Sequence, residues 1–289
     1  MKIFLAGGSG LIGAHLRAYF SKKYDVVLVS RFKNKGLTYD ELHKHISDGD
    51  VIINLAGENI SKRWSKGVKR RILESRVNTG KVLVDEVKKS GKRLKIFVQA
   101  SAVGFYGRDK NATFTEESEP IKEDFLTEVV RDWENSTREI EDLGIKRVIT
   151  RFGVVLSKDA KAFKLMVLPF RFFVGGIIGD GKQWMSWIHI GDLCRVVEYL
   201  ILNEKTGIYN VVSPNPITNE EFSRILAKKM KRPLIFRIPP FALKIVMGEV
   251  ADYLILEGQR VIPKRLMDEG FVFKYPTIDL ALDDLLSKK

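Results

Sequence analysis

The sequence predicts an α/β protein: a doubly wound parallel sheet carrying a smaller, helix-rich C-terminal lobe. Three observations carry that expectation. Short β-branched runs alternate with amphipathic stretches through the first half of the chain, the signature of repeated strand–helix–strand units. Those runs are apolar almost throughout, as strands covered on both faces are. After Pro214 the pattern turns helix-rich and is punctuated by Pro233, Pro239 and Pro240.

Taken along the chain, strands are expected at Lys2 to Ala6, Asp25 to Ser30, Val51 to Leu55, Lys95 to Ala100, Lys146 to Arg151 and Gly207 to Val212. Helices are expected between them at Gly10 to Lys22, Ser65 to Ser90, Phe125 to Leu143 and Asp192 to Leu202. Thr218, followed by Asn219, Glu220 and Glu221, reads as an N-cap with an acidic first turn that suits the helix dipole. Phe241 to Leu256 and Ile278 to Leu286 read as further helices. The sheet domain then comprises residues 1–157 and 185–215, and the lobe residues 158–184 and 216–289.

At 289 residues the chain can bury a sizeable core, and 45% hydrophobic with 29% charged residues is the balance of an ordinary folded protein. The net charge of +13 raises the question of nucleic acid. Its distribution argues otherwise. Lysines are scattered, and the densest run, Lys62 to Arg71, keeps Trp64, Val68 and Ile72 at helical spacing, so a solvated helix face is expected. Cys194 is the only cysteine and the four histidines are mostly dispersed, so no metal site is expected. The run Ile3 to Ala6 is too short for a signal-peptide core, and Val167 to Ile178, interrupted by Arg171, is too short to cross a bilayer. The reading is a soluble, cytoplasmic protein whose partner is a small molecule, with neither nucleic acid nor membrane. Nothing here specifies an oligomeric state.

Chemistry enters after the first strand, where Gly7-Gly8-Ser9-Gly10-Leu11-Ile12-Gly13 leads into a helix. In that context the glycines are a Rossmann-type dinucleotide fingerprint. Gly7 or Gly8 permits the turn, Gly10 lets a pyrophosphate approach the backbone, and Gly13 lets the helix pack closely, with the helix N-terminus facing the phosphates. At the end of the second strand, where a carboxylate accepts from the adenosine ribose of NAD, stand Ser30 and Arg31. No carboxylate follows until Asp40, and Lys33 and Lys35 add positive charge. A guanidinium fork beside a hydroxyl suits a 2′-phosphate, so the expected cofactor is NADP(H).

With these residues the chain resembles the extended short-chain dehydrogenases, and more closely the epimerase-family proteins of the atypical short-chain dehydrogenase type. The likeness rests on Asn54-Leu-Ala-Gly-Glu-Asn-Ile60, Ser75-Arg-Val77, Ser101-Ala-Val-Gly-Phe-Tyr-Gly107, Arg151-Phe-Gly-Val-Val-Leu156 and Gln183-Trp-Met-Ser-Trp-Ile-His-Ile190. Pro216-Ile-Thr-Asn219, Gly258 to Arg265 and Gly270 to Pro276 extend it over essentially the whole chain. The resemblance implies a Rossmann domain holding the cofactor through Gly7, Ser9, Gly10, Leu11, Ile12, Gly13, Ser30 and Arg31. It also implies contacts from Leu55, Ala56 and Gly57, from Arg76 and from Ser101, with the substrate in the C-terminal lobe.

Two departures matter. Ordinary members use a tyrosine, its pKa of about 10 lowered by a lysine four residues on, and the helix around Phe125 to Glu139 contains neither. Tyr19 to Lys23 and Tyr106 to Lys110 match the spacing by chance, outside the helix where the pair acts. Where many nucleotide-sugar enzymes have an arginine, this chain has Met185, which cannot clasp a diphosphate, leaving another arginine such as Arg171 as the alternative.

Ser101 and Tyr106 are the remaining catalytic candidates, near the carboxyl end of a strand. For Ser101, ligand contact and turn capping stay open; for Tyr106, core packing with a tethered hydroxyl is the commoner fate. Glu58 and Asn59 either meet substrate or cap their loop, and Trp184 and Trp187 either wall an aromatic pocket or fill the lobe junction. The expectation is an NADP(H)-binding oxidoreductase or epimerase-like enzyme acting on a small polar, carbonyl or sugar-like substrate. The alternative is a catalytically inactive NADP(H)-binding regulatory or scaffold protein related to cell division.

Overall fold

The computed structural model describes residues 1–287. Seven parallel strands form the central sheet: β1 (Lys2–Ala6), β2 (Asp25–Ser30), β3 (Leu37–Thr38), β4 (Val51–Asn54), β5 (Ile96–Ala102), β6 (Arg147–Phe152) and β7 (Gly207–Val211). Their order across the sheet is β7-β6-β5-β4-β1-β2-β3. Because β1 pairs with both β2 and β4, successive crossovers leave β1 in opposite directions and a crevice opens at its carboxyl end. Every residue of β4 and β6 is buried, so β4 reads as the apolar run Val51 to Ile53 rather than an alternating one, while β6 takes Arg147, Thr150 and Arg151 into the interior.

The longer helices are α1 (Leu11–Phe20), α2 (Lys66–Ser90), α3 (Phe125–Asn135), α4 (Lys161–Arg171), α5 (Ile190–Leu202), α6 (Asn219–Met230), α7 (Pro240–Met247) and α8 (Ile278–Leu286), with short helical turns at Glu139–Asp142 and Lys264–Asp268. One face of the sheet packs Leu16 and Phe20 of α1 with Leu193, Val197 and Leu200 of α5; the other packs Leu83, Val84 and Val87 of α2. The lobe has its own core, in which Phe163, Val167 and Phe170 of α4 meet Phe222 and Leu226 of α6 and Leu282 and Leu285 of α8. A parallel pairing of Gly176–Ile178 with Phe236–Ile238 ties the two halves of the lobe together.

The predicted strands fall within about two residues of those found. Thr218 caps α6 as expected, in a full capping box with Glu221. Three elements differ. The helix expected from Phe125 to Leu143 is interrupted after Asn135, where the Arg147 guanidinium takes the Glu134 carbonyl (2.7 Å), and resumes as a single turn at Glu139–Asp142. The helix expected from Phe241 to Leu256 breaks at Gly248, whose φ of 68° no other residue adopts freely. Helix α4 was hidden in the sequence by its internal Pro169, which sits in the last turn.

Candidate functional site

The crevice at the carboxyl end of β1 is built from backbone. Gly7 has a φ of 80°, and a Cβ there would stand 2.7 Å from the Leu55 carbonyl carbon, so the turn after β1 lies directly against the loop after β4. A Cβ on Gly13 would come within 2.5 Å of the Gly7 oxygen and 2.6 Å of the Gly8 Cα, which draws α1 down onto the turn. Gly10 differs: a Cβ would meet only the Gly7 oxygen, at 3.5 Å, and would otherwise enter open space. Gly10 is also the N-cap of α1, with no side chain capping the helix and no acidic residue in its first turn. The N–H groups opening α1 are therefore available to an anion, with Ser9 and Gly10 exposed above them. Leu11 packs towards the lobe core and Ile12 towards the sheet, so these two present backbone.

At the end of β2 the Ser30 hydroxyl accepts from the Phe32 N–H (3.2 Å), and the Arg31 guanidinium lies 5.8 Å from the Phe32 ring centroid. Arg31 is exposed, and among the described residues no carboxylate pairs with it. Glu58, the acid whose pKa its charge helps lower, is bound to Lys62 at 2.6 Å, the chief cause of that lowering.

Beyond β4, the Asn54 side chain is fixed by Gln99 (3.0 Å) and accepts from the Ala56 N–H (3.2 Å), setting the path of Leu55, Ala56 and Gly57. Arg76 of α2 reaches this loop, and a Cβ on Gly57 would lie 2.9 Å from its Cζ. Its guanidinium rests 4.9 Å from the Trp133 ring and, among the described residues, donates only to the Ile72 carbonyl (2.9 Å). Burial pulls its pKa down to about 10, with the Glu58 charge opposing. A half-buried cation with no carboxylate bonded to it suits a site that receives a polar ligand.

Ser101, at the end of β5, is 2% exposed and donates its hydroxyl to Glu134 of α3. Glu134 also receives Nε and Nη2 of Arg151, at 2.8 and 2.9 Å. The remaining Arg151 nitrogen, Nη1, is buried without a partner among the described residues, and the guanidinium lies 3.4 Å from the Phe105 ring centroid. Burial disfavours the Arg151 charge, and the bonds to Glu134 outweigh it, so the side chain stays firmly cationic.

Other candidates have their polar groups engaged within the protein. Tyr106 is fully buried, stacks on Phe114 and gives its hydroxyl to Asn210 (2.8 Å), while burial raises its pKa. That is a core tyrosine with a tethered hydroxyl, not a free proton donor. Trp187 is equally buried, its indole donating to the Asn215 carbonyl (3.0 Å). Trp184 is half-buried under Arg260 and donates to the Lys110 carbonyl. Asn59 accepts from the Ser61 N–H and the Glu58 N–H donates to Ser75, so both residues stabilise their own loop. Two hollows in the surface lie elsewhere, one at the amino ends of β1, β4 and β5 and one between α1 and α5. Among the described residues no cluster of acids, histidines and cysteine could hold a metal ion, and no helix is long and apolar enough to cross a membrane.

Glu134 was missed in the sequence. The available signal was Arg151 itself, since an arginine inside an apolar strand needs a buried carboxylate from another element.

Residues 3–212 match the model of the NAD dependent epimerase/dehydratase family, and residues 238–285 match a domain of unknown function (DUF1731). The epimerase family protein YfhF of Bacillus subtilis is 37% identical over 305 residues, covering 100% of this chain and 99% of that protein. The epimerase family protein SSP1921 of Staphylococcus saprophyticus is 36% identical over 298 residues, covering 99% and 100%. Among solved structures, human epimerase family protein SDR39U1 with NADPH superposes with a TM-score of 0.92 at 33% identity, covering 99% of each chain. A UDP-glucose 4-epimerase complex with NAD from Thermus thermophilus, at 18% identity and a TM-score of 0.75, shares the fold.

Proposed function

The chain belongs to the NAD dependent epimerase/dehydratase family, and from that premise we propose an NADP(H)-binding oxidoreductase or epimerase-like enzyme acting on a small polar, carbonyl or sugar-like substrate. One observation carries the cofactor choice. The start of α1 at Gly10 is uncapped, and the end of the neighbouring β2 offers Arg31, which has no carboxylate partner among the described residues, with Ser30 beside it, where an NAD enzyme needs a carboxylate. The human relative crystallised with NADPH supports the same choice.

The chemistry of these residues suits that group. The N–H groups of Leu11, Ile12 and Gly13 receive the pyrophosphate, Arg31 and Ser30 a 2′-phosphate, and Arg76 lies beside Gly57 along the same crevice. When bound, NADP(H) supplies or takes up the hydride. With its O–H committed to Glu134, Ser101 has only lone pairs left for a ligand, so it accepts from a hydroxyl or amide and positions it. The proton is then handled without the tyrosine and lysine of ordinary members, because α3 carries neither.

A second reading, an NADP(H)-binding regulatory or scaffold protein, is favoured by the same commitment: Ser101 and Tyr106 both give their hydroxyl protons to buried partners. Oxidation of bound NADPH, followed across a library of carbonyl compounds, separates the two. Turnover of any member that falls in Ser101→Ala supports the enzyme; silence throughout supports the scaffold.

A further inference from the structure

Exposed apolar side chains recur on α4, at Ile235 and on α7. Along α4, Leu165, Leu168 and Phe172 recur at i, i+3 and i+7 and all face out, Phe172 with 69% of its surface exposed. The pairing of Gly176–Ile178 with Phe236–Ile238 brings this stripe beside Ile235, which is 74% exposed. Gly179 lies against Pro240 (3.4 Å from a Cβ on the glycine), so α7 begins beside this pairing. No residue of α7 is buried, and its Ile245 and Val246 are 70% and 76% exposed. An isolated surface leucine needs no explanation; a ridge assembled from two segments joined by strand pairing does.

The charge around the ridge identifies its partner. Residues 160–179 and 228–248 contain nine lysines and arginines and no carboxylate. Arg232 lies over the Phe173 ring (4.1 Å) and Arg237 donates to the Gly179 carbonyl, so the basic groups are interleaved with the apolar ones. The acids at the border are engaged: Asp180 with Lys110, Glu249 with Lys69 and Asp252 with Lys244. A second copy of the same face would bring two sets of like charges together. Nucleic acid would match the charge but not the leucine, isoleucine and valine, which do not stack on bases.

We propose that this face of the lobe docks on an anionic phospholipid bilayer, Phe172, Ile235, Ile245 and Val246 entering the headgroup boundary while Arg171 and Arg237 meet lipid phosphates. The linear sequence conceals this, and suggests no membrane partner, because the two segments meet only through the strand pairing in the lobe. The proposal is independent of the cofactor assignment.

Cosedimentation of the full chain with vesicles tests it, using phosphatidylcholine alone and phosphatidylcholine containing phosphatidylglycerol. The expected result is binding to the phosphatidylglycerol vesicles that falls at least about five-fold for each basic residue removed among Arg171→Gln and Arg237→Gln. Ile245→Ser with Val246→Ser should reduce it comparably, with melting temperature unchanged because both side chains are exposed. Equal binding to both vesicles, or none, overturns the proposal. So does binding that ignores the Ile245 and Val246 changes, which is counter-ion adsorption alone, or a dimer in light scattering that these changes dissolve.

Discussion

Ser101 donates its hydroxyl proton to Glu134, and the two side chains, one on β5 and one on α3, are both shielded from solvent. Glu134 simultaneously neutralises Arg151. The trio makes the candidate site dependent on a buried ion pair, whose attraction is offset by desolvation while intact but whose disruption leaves a bare charge.

Glu134→Gln should therefore destabilise the protein by about 3–5 kcal/mol, since Arg151 loses its counter-charge inside the protein. Ser101→Ala, which removes one charge-assisted hydrogen bond, should lose about 1–2 kcal/mol. Urea denaturation checks both. Equal effects of the two substitutions would contradict the role given to Glu134.

Gly10 and Gly13 should separate binding from folding. Gly13→Ala meets backbone at 2.5 Å and should destabilise by roughly 1–3 kcal/mol or more. Gly10→Ala meets nothing closer than 3.5 Å, so its stability should change by less than about 1 kcal/mol. Its NADPH affinity, measured by calorimetry, should nonetheless fall at least roughly ten-fold, because the methyl occupies the space left for a phosphate. Retained affinity in Gly10→Ala would place the phosphates elsewhere.

His189 gives the fold a pH dependence. Its Nδ1 accepts from the Gly191 N–H at the start of α5 (3.0 Å), and its ring lies 3.8 Å from that of Tyr275. Burial holds its pKa below the ordinary imidazole value, with Asp284 and Asp192 opposing. The unfolded chain takes up this proton at a higher pH than the fold does, so the contribution is complete above about pH 6.5 and is lost as pH falls below it. His189→Asn keeps a capping side chain and cannot titrate. Between pH 7.5 and pH 5.5 the wild type should lose more stability than this variant; parallel curves would refute the assignment.

Much of this was legible in the residues. The strands of the sheet announced themselves because both faces are covered, and the glycine turn because a strand precedes it and a helix follows. Arg31 could be placed from its position after β2 alone. What stayed hidden depends on contacts between distant segments. The end of α3 is met by Arg147, the burial of Tyr106 and Trp187 is matched by partners at Asn210 and Asn215, and the state of Ser101 is set by Glu134. None of these leaves a local pattern, since each is a side chain meeting another element after the fold has closed.

Calorimetric titration of the wild-type chain with NADPH and with NADH tests the central claim most directly. The account predicts NADPH binding tighter by roughly ten-fold or more, a margin removed in Arg31→Asp, since one charge-assisted fork to a phosphate contributes about 1.5–3 kcal/mol. Equal affinity for the two cofactors, or a preference for NADH in the wild type, would contradict it.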